Sequence, residues 1–331
     1  MSNVLYFNIM KKIILLIPLI VLGTYYSFSQ TETLNKAFKA LVFINGQNKL
    51  INPIRSVLKQ SDYNLFIYEY NAFFNDIEKN ALNYLNSRLP QDSLDYYLNE
   101  VEVLLKNINV DNVDPHVAIG TIKSRIKNLE GVPKDLKQAL LYFKFYNNPG
   151  GAISNGFYED FLFANTKNRG RKFSIKLPLF MEDRTKNSSL ALSNQILNYH
   201  SIMDDHNFTI AASYVDGKYR KYSDEELEYI SATNEEIRRL IPENARLITS
   251  RAVTGKNYKG ILVEFDLIQE YLGLSMDTKL FYLLVFEDGQ FFIFNFSYGN
   301  NPMDSNQVSL DKFRDKYHKL MLSVLNTLQF Y

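Results

Sequence analysis

Five residues, Asn147-Asn148-Pro149-Gly150-Gly151, constrain this chain more than any other stretch. A proline followed by two glycines cannot continue a helix, and the apolar periodicity differs on its two sides. Before it, apolar residues recur at helical spacing. After it, they alternate, as strands require. A 331-residue chain that changes period once is predicted to fold as two domains. The expected fold class is an all-α helical bundle over 30–148, a linker over 149–160, and an α+β domain with a mostly antiparallel sheet covered by helices over 161–331.

In the first half, Leu34, Phe38, Leu41 and Val42 form one helical face, which Gly46 is expected to stop. A short segment follows Pro53, with Ile54, Val57 and Leu58. Phe66, Tyr70, Phe73, Ile77, Leu82 and Leu85 make an aromatic-rich stripe in a helix that ends before Pro90, and such spacing reads as a buried face. Ser93 is expected to cap the next helix, which carries Leu94, Leu98, Val101, Leu105 and Ile108. Asp114-Pro115 is a cap followed by a first-turn proline, leading into Ile119, Ile122, Ile126 and Leu129. PKDLKQALLYFKFY after Gly131 closes a set of about six helices.

In the second half, strands are predicted over Arg171 to Pro178, Ser189 to Leu197, Asn207 to Val215, Ala245 to Val253 and Tyr258 to Ile268. Ser223-Asp224-Glu225-Glu226 is a capping box that opens a helix through Leu227, Ile230, Ile237 and Leu240. KLFYLLVF and QFFIFNFS flank Asp288-Gly289, a preferred pair for a type I′ hairpin turn. That turn would pair Val285 with Phe292, Leu283 with Phe294 and Phe281 with Phe296. Tyr282 and Asn295 then share the opposite face, which is expected to be covered because it also holds Leu284, Phe286 and Ile293. Ser309 is expected to cap a last helix with the face Leu310, Phe313, Tyr317, Leu320, Val324 and Leu328.

This order, a strand FSIKLP, two further strands, a capped helix, two long strands, an FEDGQ hairpin and a closing helix, resembles the PsbP-like sandwich superfamily across about residues 160 to 331. It is also similar to exported Bacteroidetes proteins, as is the SFSQ ending of the first 30 residues. The resemblance implies an accessory or partner-binding module with no shared catalytic triad.

The opening segment reads as an export signal over residues 1–29: Lys11 and Lys12, an apolar run from Ile13 to Gly23, then Ser27 and Ser29 as small residues before a cut. Either Met1 or Met10 could begin it. The run is about half the length a membrane span needs, so the exported chain is expected to be soluble, periplasmic or extracellular, with no span after cleavage. Cysteine is absent, which excludes disulfides, thiol catalysis, cysteine zinc sites and iron–sulfur clusters. Lys and Arg total 37 against 36 Asp and Glu, so nothing offers the basic excess that a nucleic-acid backbone demands.

No glycine-rich phosphate loop, His-Glu-x-x-His or dinucleotide fingerprint occurs, and no cofactor is expected. The densest ligand-type cluster is His200, Asp204, Asp205 and His206, which lies between predicted strands and reads as a metal-free solvated loop. His116 is expected at the surface of a first helical turn, and His318 beside Arg314 on the polar face of the last helix. Gly151 to Gly156 has one residue too many for a nucleophile elbow and reads as linker. A binding loop is expected at Lys218, Tyr219, Arg220, Lys221 and Tyr222, where exposed tyrosines alternate with cations. The functional expectation is a non-catalytic binding or accessory protein of the bacterial envelope, meeting an envelope protein or a small ligand. The alternative is an envelope hydrolase whose acidic residues meet only in the fold.

Overall fold

A computed structural model describes residues 29–106, 113–164, 172–185, 194–201, 208–271, 274–299 and 310–331. The export signal apart from Ser29, the residues Asp204, Asp205 and His206, the Ser309 cap and Ile108 lie outside the described residues. The chain divides between Phe157 and Tyr158 into a helical unit and a sheet unit.

The helical unit holds α1 (Ser29–Ile54), α2 (Gln60–Arg88), α3 (Gln91–Lys106), α4 (Pro115–Asn128), α5 (Lys134–Lys144) and the single turn α6 (Gly151–Ser154). Gly46 does not stop α1, and Pro53 falls in its last turn. A mid-helix glycine costs only about 1 kcal/mol against alanine, and the buried stripe Ala37, Ala40, Leu41, Ile44 and Gln47 runs straight past it. Gln47 Oε1 also accepts from Arg125 at 2.7 Å, tying α1 to α4. On α2 the predicted stripe is buried through Phe66, Tyr70, Phe73, Ile77 and Leu85, joined by Phe74 and Tyr84. Ser93 lies inside α3, because the Pro90 carbonyl already accepts from the Leu94 N–H at 3.0 Å. Asp114 caps α4 as expected, accepting from the His116 N–H at 2.8 Å. Gly151 to Gly156, read as linker, instead forms α6 and its closing turn, and Ser154 Oγ donates to the Gly151 carbonyl at 3.1 Å. Pro149, Gly150, Gly151 and Ala152 are all buried.

The sheet unit holds β1 (Tyr158–Phe163), β2 (Phe173–Pro178), β3 (Met181–Asp183), β4 (Gln195–Ser201), β5 (Thr209–Asp216), α7 (Asp224–Ala232), α8 (Asn234–Arg238), β6 (Ala245–Gly255), β7 (Tyr258–Tyr271), β8 (Leu274–Glu287), β9 (Gln290–Gly299), α9 (Asp311–Leu325) and β10 (Gln329–Phe330). Seven strands pair antiparallel in the order β3-β4-β5-β9-β8-β7-β6, and a second sheet has the order β1-β2-β10. The predicted hairpin register holds at every pair, with Phe281 opposite Phe296, Leu283 opposite Phe294 and Val285 opposite Phe292. Its turn differs from expectation. Gly289 has φ +79°, but Asp288 does not enter the left-handed region, so the loop is not type I′. The predicted helix from Ser223 to Leu240 breaks at Thr233, whose backbone is extended at φ −96°, ψ 101°.

The hairpin's Phe face meets the small sheet. Phe173 of β2 lies 5.1 Å from Phe294 and 5.5 Å from Phe330, with Phe330 5.3 Å from Phe292. Tyr317, Leu320 and Val324 of α9 are buried as well, so the predicted stripe of the last helix is real. The opposite face carries Ile261, Val263, Phe265, Leu280 and Leu284, clustered with Leu227, Ile237, Leu240 and Ile241 from α7, α8 and the residues after them. The N-terminal helices and the C-terminal antiparallel sheet with its helices therefore match the expected fold class.

Candidate functional site

The loop from Gly217 to Tyr222 runs beside the tip of the β8–β9 hairpin and is tied to it by backbone. The Gly217 N–H donates to the Gly289 carbonyl at 3.0 Å, and the Gly289 N–H donates to the Tyr219 carbonyl at 3.0 Å. The Lys221 N–H reaches Asp288 Oδ1 at 3.2 Å. Lys218, Arg220 and Lys221 are exposed, whereas Tyr219 and Tyr222, expected in solvent, are half-buried. Tyr219 packs 5.6 Å from Phe291, and Tyr222 stands edge-on to Phe286 at 4.9 Å. The local sequence marks the tyrosines as polar-loop residues because it cannot show the hairpin that receives their rings.

Two of these five residues, Lys221 and Tyr222, line a cleft of about 310 Å³. Its other walls come from Leu227 of α7, Phe286 and Glu287 of β8, and the β6–β7 turn with Gly255, Tyr258 and Lys259. That turn is pinned from the end of the chain. Asn257, at φ 64°, donates from Nδ2 to the Phe330 carbonyl at 3.1 Å, and the Phe330 N–H donates to the Lys256 carbonyl at 3.2 Å. Asparagine tolerates the left-handed region better than most residues, which suits it to this corner. Gly255 has a different reason. A Cβ there would fall 2.1 Å from the Tyr258 ring, so only glycine lets that ring form the wall.

The cleft's charges are paired at its rim. Lys221 Nζ sits 3.1 Å from Glu287 Oε2, whose side chain is only 4% exposed, as an ion pair without hydrogen-bond alignment. Lys259 Nζ lies 2.7 Å from Asp224. Arg220 forks onto Glu226, with Nη1 3.0 Å from Oε2, and its guanidinium lies 4.7 Å above the Tyr222 ring. The hydrogen bond from Arg220, followed by one from the Ser223 backbone, holds Glu226 down to about 2. Burial pushes the Tyr258 phenol up to about 12. Elsewhere, burial would raise Asp266, but Arg246 and Lys279 outweigh it and leave that carboxyl below its usual range. A general acid needs its pKa moved up toward neutrality, and these acids move the other way.

The other candidates scatter. His200 is in β4, opposite Glu182 of β3 and Thr209 of β5, and not in a loop. It is 9% exposed, with Nδ1 3.3 Å from Thr209 Oγ1, and burial first, then Arg184, lowers its pKa to about 3. Its partners in the sequence cluster, Asp204, Asp205 and His206, are outside the described residues, and among the described residues no group of three His, Asp or Glu could hold a metal. His116 is exposed in the first turn of α4. His318, expected on a polar face, stacks on Phe281 at 5.7 Å with the rings nearly parallel.

The fold and cleft define a class: a helical unit followed by an antiparallel α+β unit with an aromatic, ion-paired cleft at one end of its sheet. No family model matches the chain, and no curated protein does. Among solved structures, LpqN, involved in cell envelope biogenesis of Mycobacterium tuberculosis, matches over 55% of this chain and 96% of that chain. The identity is 8% and the TM-score 0.32, a likeness too low to assign a fold or a role. No helix of the described residues is long and apolar enough to cross a membrane.

Proposed function

We propose that this chain is an exported, non-catalytic binding or accessory protein of the bacterial envelope, cut after Ser29, whose sheet unit receives an apolar or aromatic group of a ligand or partner in the cleft. The supporting observation is the cleft itself, where Tyr222, Tyr258 and Phe286 supply apolar wall and the ammoniums of Lys221 and Lys259 stand at the rim. A concave, mostly apolar pocket with a few placed polar groups is the usual form of a binding site. The resemblance of 161–331 to the PsbP-like superfamily, with its accessory members, supports the same role. Residues 30–157 act as a separate helical domain, and the sheet unit follows directly from Tyr158.

Capture from native envelope extract, comparing the parent with Tyr222→Ala and Lys259→Glu, tests the cleft. Lys259→Glu should melt like the parent and Tyr222→Ala should stay folded at a lower melting temperature, and both should lose the captured species. Equal capture by all three removes the cleft from the function. A turnover abolished by one Asp or Glu substitution without change in melting puts a hydrolase in its place. Intact mass of the exported protein, expected to begin at Gln30, tests the address.

A further inference from the structure

The large sheet has a second feature on the face that α7 shares. Across β4, β5, β9 and β8, one register row reads Asn198, Ala211, Asn295 and Tyr282. The row beside it brings His200, Thr209 and Ser297 together, and the row on the other side contributes Ser213. Thr278 follows on β8, two residues before Leu280. Strand alternation therefore puts a patch of amides and hydroxyls on one face, next to the apolar part that α7 covers.

Five of these side chains are buried with a polar atom unmet: Asn198 Oδ1, Ser213 Oγ, Thr278 Oγ1, the Tyr282 hydroxyl and Asn295 Oδ1. None is more than 7% exposed. Buried polar groups are nearly always paired, because an unmet one costs folding stability, so five on one face of adjacent strands call for a partner. Asn198 and Asn295 are two strands apart, roughly 10 Å, which spans a disaccharide. Ala211 between them keeps the middle of the row low.

The chemistry narrows the occupant. The nearest opposite charges, Arg184 and Glu182, pair with each other at 2.8 Å, so nothing in the row offers an ion its counter-charge. An apolar ligand would leave all five atoms unmet. Hydroxyl groups both give and accept hydrogen bonds, as the amides and hydroxyls of the row do. We propose that the face formed by β4, β5, β9 and β8 around Asn198 and Asn295 is a binding site for a neutral saccharide. His200 at the edge of the patch is uncharged at neutral pH, in keeping with a neutral ligand. The unmet atoms are shut off from solvent, so binding requires the face to open, and association is slow for its affinity.

The test is calorimetric titration of the full exported chain with maltotriose, N,N′-diacetylchitobiose and, as the charged counterpart, trigalacturonic acid. At least one neutral sugar should bind, and the charged one should bind at least about tenfold more weakly. Asn295→Leu, near in shape, removes an unmet group. It should abolish that binding while the melting temperature stays level or rises. Ser213→Ala and Thr278→Val repeat the measurement on the neighbouring strands β5 and β8. No heat with either neutral sugar, binding unchanged in the variants, or a clear drop in melting with Asn295→Leu overturns the proposal, the last because it means the amide is already satisfied inside the protein. Tyr222→Ala separates this site from the cleft. Sugar binding should survive it, and loss with that variant while Asn295→Leu still binds assigns the sugar to the cleft instead.

Discussion

Protonating His200 should destabilise the sheet unit before the carboxylates begin to titrate. The ring is 9% exposed between Glu182 and Thr209 on neighbouring strands, and its pKa falls from 6.5 to about 3 through burial and then Arg184. Above pH 6.5 the imidazole is neutral whether the chain is folded or not, and this term is fully present. Below 6.5 the unfolded chain takes up a proton that the folded chain refuses until about pH 3, so stability falls as pH falls through that window. One proton corresponds to about 1.4 kcal/mol per pH unit, hence about 2 kcal/mol between pH 6.5 and 5. Urea unfolding at pH 7, 6 and 5, followed by the sheet signal in circular dichroism, measures it against His200→Gln, which keeps a polar side chain beside Thr209 but cannot titrate. The parent should lose about 2 kcal/mol more than the variant over this range. Parallel losses, or a His200 titration midpoint near 6.5 in the folded chain by NMR, refute the reasoning.

Phe294→Ala removes a fully buried ring from between Phe173 and Phe330, so it should cost about 3 to 5 kcal/mol by urea titration, and a loss below about 1 kcal/mol would mean the small sheet does not hold the large one there. Gly255→Ala places a methyl 2.1 Å from the Tyr258 ring and must push that ring from the cleft wall, which should cost about 1 to 3 kcal/mol and change the tyrosine near-ultraviolet dichroism. An unchanged spectrum would place Tyr258 elsewhere. Lys218→Glu should leave the melting temperature unchanged, while Lys221→Glu sets a negative charge beside the buried Glu287 and should cost about 1 to 3 kcal/mol. Equal melting of the two would dissolve the ion pair.

The β8–β9 register followed from six apolar side chains that a one-residue slip would have turned away from their partners, and the structure keeps every pair. The α4 start followed from Asp114-Pro115 because cap and proline act within one turn. Three strands, β1, β3 and β10, left no such trace. β1, with Glu159 and Asp160 in six residues, bonds to β2 as an edge of the small sheet, and β10 is two residues whose partner lies some 150 positions earlier. Gly46 misled because a glycine's local preference is about 1 kcal/mol, less than the tertiary contacts along α1 contribute. Thr233 misled in the opposite sense, since apolar spacing carries on through the break from Leu227 to Ile237.

The cleft and the polar patch show where alternation stops being informative. Lys221 and Tyr222 stood out as a cationic, aromatic loop, but Gly255, Tyr258 and Phe286 come from strands paired across the unit, and no spacing along the chain brings them to one cleft. Asn295 and Tyr282 show a second limit. The hairpin register correctly set them on one face, and the apolar neighbours Leu284 and Ile293 correctly marked that face as covered. Period two says which face a side chain takes, yet an asparagine in a covered face admits two causes: a partner supplied by the protein, or one supplied from outside. Only the fold separates them, by showing that its carboxamide oxygen is buried and unmet beside Ser213 and Asn198. A sheet under selection for stability alone would carry leucine or valine there, as β7 does at Val263 and Phe265 on the same face under α7. The polarity of one half of a continuous face, against the apolarity of the other, is therefore a statement about what that half must touch.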